Sequence, residues 1–159
     1  MAEIFVGVGS NEDRANNIRR GLEALGARFG RLRTSPVYES GALGGAGADY
    51  FNLVIAFDCN ESAEAVFDAL KAIEAAAGRR RNPEPGLCTL DLDLLTCGDV
   101  VMQSDRFSLP RSDILEHAFV LRPLAALAPW ARHPLTRQTY HELWAAMAPQ
   151  APALVEVAL

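Results

Sequence analysis

The chain has 159 residues, half of them hydrophobic, and a formal net charge of -5. This length and composition suit one domain with a buried core and exclude wholesale disorder, while the negative charge argues against nucleic acid as a bulk partner. No apolar run approaches the roughly 20 residues of a membrane-spanning helix, no signal peptide opens the chain, and the three cysteines lack metal-binding spacing. We therefore expect a single cytoplasmic domain over residues 1–159 with free thiols and no membrane partner.

The first half of the chain begins with a short β-rich apolar run at residues 3–9, which predicts a buried strand. Apolar residues then recur at steps of three and four from position 15 to 29, the pattern of an amphipathic helix. Residues 31–40 predict a strand in which Pro36 indicates a sheet edge or a bulge. A loop rich in glycine and alanine, Gly41–Asp49, follows.

The next strand, Tyr50–Asp58, alternates in polarity, so that its odd-numbered residues share one face and its even-numbered residues, including Asn52, share the other. Ser62 then caps a second helix. Glu74 falls on the apolar stripe of that helix. It either reaches solvent from the edge of the stripe or holds a ligand at the edge of the sheet.

The remaining elements complete an α+β pattern. Three arginines in Gly78–Asn82 end the second helix, an arrangement that also serves to complement a helix dipole. After a Pro/Gly loop the sequence predicts a strand at 88–95, a hairpin at 99–109, a loop with a short helix at 109–129 and a last helix at 139–147. The order β-α-β-β-α-β predicts helices packed on one face of an antiparallel sheet.

The strand at residues 88–95 carries two acids, Asp91 and Asp93, between leucines. Residues two apart in a strand point to the same face, roughly 6–7 Å apart, so both carboxylates face one way. Two like charges this close repel each other unless a positive group lies between them. The pair is either two solvated acids on an exposed face or a Mg²⁺ site, because hard oxygen ligands suit that ion.

Six segments, taken in order, resemble one family: VGVGSNED, SPVYES, YFNLVIAF, AIEAAAGRRR, TLDLDLLTCG and LPRSDILEHAFVLRPLAALAP. The set resembles 6-hydroxymethyl-7,8-dihydropterin pyrophosphokinase from Gly9 to about Pro129. The resemblance implies a ferredoxin-like α+β fold, with helices on one face of an antiparallel sheet and additional C-terminal strands and helices. It also implies transfer of a pyrophosphoryl group from ATP to the hydroxymethyl group of a reduced pterin, on the way to folate.

The resemblance also implies roles for individual residues. Asp91 and Asp93 would hold two Mg²⁺ ions that bridge the ATP phosphates, and Arg79 and Arg81 match two catalytic arginines of the family. The implied pterin contacts are Ser40, Leu43, Tyr50, Asn52 and Phe119. The implied ATP contacts are Glu74, Arg81, Leu94, Arg106, Ser108, Arg111 and His117. An amide such as that of Asn52 offers both the donor and the acceptor that an amino-pyrimidinone edge requires, although an Asn in a strand also occurs at bulges and exposed positions.

Five positions depart from the family pattern: Pro85 replaces an aromatic residue, Ser112 replaces a common aromatic or polar contact, and the other three change the charge near the phosphates. Cys88 stands where the family has a phosphate-binding arginine, Arg111 stands where it has a histidine, and His117 replaces another arginine. We expect Arg111 to take over the lost charge, with Arg80 or Arg122 as alternatives. Cys88 is expected to be a small buried hydrophobe rather than a reactive thiol. Protonated His117 can donate to phosphate, which would make the activity depend on pH.

These features lead to two hypotheses of different classes. The first is a Mg²⁺-dependent pterin pyrophosphokinase that binds ATP and a reduced pterin, either in the folate pathway or in one leading to a methanopterin-type carrier. The second is a module that binds pterin or nucleotide without transfer, which the three charge changes favour and the intact acid pair opposes. We expect a monomer, with a dimer as the alternative.

Overall fold

The computed structural model describes residues 1–41, 49–78 and 88–159. The described strands are β1 (Ala2–Ser10), β2 (Arg33–Thr34), β3 (Val37–Ser40), β4 (Tyr50–Cys59), β5 (Asp91–Cys97), β6 (Met102–Gln103), β7 (Ser108–Leu109) and β8 (Val155–Val157). The helices are α1 (Arg14–Phe29), α2 (Ala63–Ala76), α3 (Asp113–Glu116), α4 (Ala118–Leu127) and α5 (Tyr140–Met147), followed by a 3-10 turn at Ala148–Gln150. Among these helices, none is long and apolar enough to cross a membrane.

Six strands form one sheet, in the order β5-β1-β4-β3-β8 with β2 also paired to β4. All of these pairs are antiparallel. When β2 and β3 are taken as one interrupted strand, the chain runs β-α-β-β-α-β from β1 to β5, as the sequence predicted. Because β1 pairs with both β4 and β5, it is the middle one of the three strands that carry the cavity described below.

Pro36 interrupts the strand that was predicted for residues 31–40. A proline has no backbone N–H to donate, so a regular strand seldom continues through it. Ser35 nevertheless holds the chain against β4, because its N–H donates to the Val54 carbonyl at 2.9 Å and its hydroxyl accepts from the Val54 N–H at 2.9 Å. Because β8 pairs with β3 from Val37 onward, while β2 pairs with β4 alone among the described strands, Pro36 lies where the sheet edge begins.

Both faces of the sheet are buried, each against a different set of helices. The alternation in β4 produces this arrangement, since Leu53, Ile55 and Phe57 belong to the core beneath α1 and α2. Val54 and Ala56 belong to the core on the opposite face, beneath α4 and α5. The predicted placement of helices on one face is thus confirmed for α1 and α2, and the added C-terminal helices cover the other face.

Local capping signals account for the ends of three helices. Ser62 begins α2, as predicted, because its side chain accepts from the backbone N–H of Ala65 at 3.1 Å. The α5 helix begins with a reciprocal capping box between Thr139 and Glu142. Gly30 ends α1 with a φ of 87°, a conformation that favours glycine.

Glu74 connects α2 to the outer edge of β5, which is an end strand of the sheet. Its carboxylate accepts from the Leu92 N–H at 2.6 Å and from Lys71 Nζ at 3.1 Å, and Lys71 Nζ also donates to the Leu92 carbonyl at 3.3 Å. These two side chains therefore occupy backbone groups that a further strand would otherwise pair. Glu74 is only 2% exposed, so the alternative in which its side chain reaches solvent is wrong. The carboxylate instead lies against the backbone of β5.

We predict that Glu74→Ala lowers the free energy of unfolding by about 1–3 kcal/mol, because the Leu92 N–H loses its partner in a buried setting. Urea denaturation of the ligand-free protein measures the change. Glu64→Ala is the matched control, because Glu64 is an exposed residue of the same helix and its loss removes only a favourable charge from the first turn, worth about 0.3–1 kcal/mol. Equal losses for the two variants would contradict this role of Glu74.

Candidate active site

A cavity of about 330 Å³ lies on the face of the sheet that α4 covers, above the ends of β1, β4 and β5. It brings together eight of the residues that the sequence singled out: Ser40, Tyr50, Asn52, Asp91, Asp93, Arg111, His117 and Phe119. The predicted pterin contacts and the predicted metal ligands therefore meet in one space, although they come from distant parts of the chain.

The strand register arranges the floor of this cavity in two rows. Gly9 of β1 pairs with Asn52 of β4 on one side and with Asp91 of β5 on the other. Gly7 pairs in the same way with Val54 and with Asp93. Because neighbouring strands are roughly 4.8 Å apart, the amide strand and the acid strand lie about 10 Å apart with bare backbone between them.

Asp91 and Asp93 share the cavity face of β5, as their spacing predicted. Leu92 and Leu94 point the other way and are buried beneath α1 and α2. Neither carboxylate lies on an exposed face, since both residues are half-buried and the Asp93 side chain is 22% exposed. Burial raises the pKa of Asp93 above its ordinary value of 3.8, and the opposing effect of the Arg111 guanidinium is smaller.

Arg111 provides a positive charge beside the acid pair. Its backbone N–H donates to the Leu95 carbonyl at 2.9 Å, which attaches it to β5 two residues after Asp93. Its Nη2 lies 3.8 Å from Asp93 Oδ1, and its Nε donates to Asp113 Oδ2 at 2.9 Å. Sequence reasoning missed Asp113; the only signal was an acid two residues after an arginine.

At the other end of the cavity, the side-chain amide of Asn52 lies near aromatic side chains. Asn52 Nδ2 donates to the Ser40 hydroxyl at 2.8 Å, which orients the amide. His117 and Phe119 stack on each other with ring centroids 4.8 Å apart and planes 17° apart. Tyr50 also lines this end. The site therefore combines hydrogen-bonding groups and flat apolar surfaces, as a heterocyclic ligand requires.

Four predicted ATP contacts are not brought to the cavity. Glu74 is held against the outer edge of β5, and Leu94 is 3% exposed in the core beneath α1 and α2. Arg106 is an exposed residue of the turn between β6 and β7, where it pairs with Asp68, and Ser108 is an exposed residue of β7. For these four residues ATP contact stays a prediction.

The remaining residues that the sequence singled out are not among the described residues that line the cavity. Leu43, Arg79 and Arg81, the alternative cation Arg80, and Pro85 lie outside the described residues. Arg122 is already engaged, since it lies over the Tyr38 ring at 5.0 Å and over the Trp144 ring at 5.7 Å and donates to the Leu154 carbonyl. Cys88 is half-buried, and its backbone N–H donates to Asn11 Oδ1 at 2.6 Å, just before the acid strand begins.

Comparison with known sequences identifies relatives across most of the chain. The profile of the family described as 7,8-dihydro-6-hydroxymethylpterin-pyrophosphokinase matches residues 5–129. A 2-amino-4-hydroxy-6-hydroxymethyldihydropteridine pyrophosphokinase from Pseudomonas aeruginosa is 39% identical over 139 residues, which are 84% of this chain and 85% of that protein. A protein of the same name from Methylorubrum extorquens is 32% identical over 133 residues, covering 81% of this chain and 84% of its own length.

Comparison with solved structures concerns the fold. The crystal structure of wild-type Plasmodium falciparum HPPK-DHPS with pteroate superposes with a TM-score of 0.72 at 12% identity, over 94% of this chain and 43% of that one. This chain thus spans less than half the length of that protein. The strand order and the likeness define a ferredoxin-like α+β protein with added C-terminal elements. The chain belongs to the 7,8-dihydro-6-hydroxymethylpterin-pyrophosphokinase family.

The raised pKa of Asp93 predicts that this residue lowers the free energy of unfolding more at neutral pH than at acidic pH. Because the native state holds this proton more tightly than the unfolded chain does, the contribution of Asp93 to stability is full below the ordinary value of 3.8 and is lost as the pH rises through the native pKa. We therefore expect Asp93→Asn to raise the melting temperature of the metal-free protein at pH 7, by about 2–4 °C for each kcal/mol relieved, and the gain to shrink toward pH 4.

The measurement is calorimetric unfolding in chelator at several pH values. Asp105→Asn, a change at an exposed turn between β6 and β7, is the control for removing one negative charge from the molecule. A gain for Asp93→Asn that is independent of pH, or no larger than that of the control, would contradict the assignment.

Proposed function

We propose that this chain transfers a pyrophosphoryl group from ATP to 6-hydroxymethyl-7,8-dihydropterin, giving the pterin diphosphate and AMP, in folate or related pterin cofactor biosynthesis. The observation that carries the proposal is the pair of rows across β1, in which an amide on β4 and an acid pair on β5 face one cavity. Membership of the family and the shared name of the bacterial relatives support it.

The pterin would occupy the end of the cavity that Asn52 lines. The Asn52 amide, oriented by Ser40, offers a donor and an acceptor to the amino-pyrimidinone edge of the ring. The rings of Tyr50 and Phe119 supply flat apolar surfaces on which a heterocycle can stack. Leu43 belongs to the same proposed set by family resemblance.

The phosphates would occupy the end that the acids line. Asp91 and Asp93 suit Mg²⁺ because both present hard oxygen ligands to the same space and because burial makes the negative charge of Asp93 costly without a cation. When bound, Mg²⁺ supplies positive charge to the phosphate oxygens of ATP. We propose two such ions, both held by this pair, as the family resemblance implies.

The residues of the chain would then act by positioning and charge. The pterin hydroxymethyl oxygen gives up its proton to solvent and bonds to the β-phosphorus of ATP. The bond from that phosphorus to the oxygen shared with the α-phosphorus breaks, so that AMP leaves. Such a transfer needs charge neutralisation and in-line alignment more than covalent help. Asn52 would orient the acceptor, and Arg111, held by Asp113, would lie where it can meet phosphate charge. Arg79 and Arg81 are the further cations proposed for the phosphate end. Family resemblance also proposes a phosphate contact for His117, whose ring stacks on Phe119 at the amide end of the cavity.

The direct test uses the purified protein with ATP, Mg²⁺ and 6-hydroxymethyl-7,8-dihydropterin, and measures AMP and the pterin diphosphate. Formation of both products in equal amounts would support the proposal. Binding of both substrates without AMP release would instead identify a binding module, the reading that the changes at Cys88, Arg111 and His117 favour.

We predict that Asp91→Ala or Asp93→Ala abolishes transfer while the fold persists, because each change removes half of the proposed metal-binding pair. Turnover at saturating Mg²⁺ and circular dichroism are the measurements. Asp105→Ala serves as control, since that aspartate lies exposed in the turn between β6 and β7. More than about a tenth of the original turnover in both acid variants would rule out the metal assignment.

We also predict that Arg111 has taken over the charge that Cys88 lacks. Arg111→Ala should lower turnover by roughly two to three decades, the equivalent of about 3–4 kcal/mol, whereas Cys88→Arg should change it little. The reason is that Arg111 already lies beside Asp93, so a second cation would add repulsion. Arg19→Ala, an exposed arginine of α1, controls for loss of charge.

The two variants and their double mutant separate the possibilities. If Cys88→Arg speeds transfer and Arg111→Ala is harmless, the charge was never replaced. If neither position affects turnover or ATP affinity, both lie outside the nucleotide site and the binding-module hypothesis gains support.

A further inference from the structure

The cavity face of β1 carries two glycines, at positions where a strand would normally present side chains. Alternate residues of β1, such as Val6 and Val8, are buried beneath α1 and α2, and Phe5 is buried on the opposite face. Gly7 and Gly9 continue the Phe5 face into the cavity. Neither has a φ in the left-handed region, so backbone conformation does not require glycine there. Glycine weakens a strand interior and there often marks the close approach of another group.

The two glycines differ in what a side chain would meet. A Cβ on Gly9 would lie 2.8 Å from Asn52 Oδ1, closer than such atoms approach each other. A Cβ on Gly7 would meet Leu95 at 3.7 Å and the Asp93 Cβ at 3.8 Å, which are ordinary contacts. Only Gly9 is therefore required by the present arrangement of neighbouring side chains.

The group that needs this space is the amide of Asn52. Its nitrogen donates to the Ser40 hydroxyl at 2.8 Å, and its oxygen lies on the side of β1, above Gly9. Ser40 thus holds one end of the amide, and the missing side chain of residue 9 leaves room for the other end.

We infer that Gly9 is a positioning residue for the ligand heterocycle: it allows the Asn52 amide to lie toward β1 and leaves bare backbone between that amide and Asp91. This inference rests on the proposed function. A flat ring that is hydrogen-bonded to Asn52 can extend over Gly9 toward the acid strand, about two strand spacings, or roughly 10 Å, away. A methyl group at residue 9 would overlap with the Asn52 amide and displace it, even in the absence of ligand.

The first measurement is the affinity of Gly9→Ala and Gly7→Ala for 6-hydroxymethyl-7,8-dihydropterin, by calorimetry. Both variants add one methyl group to the same face of the same strand, so their effects on strand propensity match. Gly9→Ala should weaken pterin binding by about tenfold or more, the loss expected for one misplaced hydrogen-bonding group, and Gly7→Ala by less than about threefold. Affinity for a non-hydrolysable ATP analogue with Mg²⁺ should stay within about twofold in Gly9→Ala. Equal pterin affinity in the two variants would overturn the inference.

A double-mutant cycle tests whether Gly9 acts through Asn52. In an Asn52→Ala background the amide is absent, so Gly9→Ala should cause no further loss of pterin affinity. Additive losses would overturn the positioning role, because they would mean that the new methyl group blocks the ligand directly.

A third measurement separates this inference from the proposed function. In the ligand-free protein, the side-chain amide resonances of Asn52 should shift in Gly9→Ala and much less in Gly7→Ala. Absence of that shift would overturn the inference even if the wild-type protein binds the pterin. If the wild-type protein binds no pterin, the proposed function fails, and the amide shift alone still decides whether Gly9 positions Asn52.

Discussion

The pairing of β1 with β4 on one side and with β5 on the other is the constraint on which the site depends. Asn52 and Asp91 are far apart in the chain, and they meet across the same residue, Gly9, only because both strands are in register with it. A slip of one residue in either strand would turn its polar side chains to the opposite face. The apolar alternation of β4 and β5 opposes such a slip, since it would remove from the core the residues now buried beneath α1 and α2 and turn them to the face that carries the cavity.

The acid strand needs support because it lies at the end of the sheet. Lys71 and Glu74 of α2 bond to the backbone of Leu92, the residue between the two acids, and Leu92 itself is buried. The carboxylates therefore project from a strand that is held along its outer edge and packed from behind. On the cavity side, α4 covers the adjacent part of the sheet and contributes Phe119 to the wall.

Acids outnumber basic residues in the part of the cavity lining that the structure describes. That part includes three aspartates, Asp91, Asp93 and Asp113, and one arginine, Arg111. Arg111 lies between Asp93 and Asp113 and partly offsets the charge of both. Burial of Asp93 increases the cost of this imbalance. A divalent cation at the acids and a polyphosphate near the arginine would relieve it together, as the proposed reaction requires.

Local patterns in the sequence were sufficient for several features of the site. The two-residue alternation of strand side chains predicted that Asp91 and Asp93 share one face and that Tyr50 and Asn52 share another. Ser62 predicted the start of α2. Each of these relations depends only on neighbours along the chain. Motif order identified the family and its fold. Glu74 was singled out correctly as unusual, but its bond to Leu92 joins a helix to a strand edge, which the pattern within one helix cannot reveal.

The sequence by itself therefore determined the elements, the face of each strand and the residue types of the site. Only the tertiary structure decided which strand lies beside which, that α4 and α5 cover the second face of the sheet, that Asp113 holds Arg111 and that Gly9 lies under Asn52. It also left Leu94, Arg106 and Ser108 away from the cavity, despite their place in the family pattern. The physical reason is that these relations join distant parts of the chain, and their geometry arises only when the whole sheet and both of its cores form together.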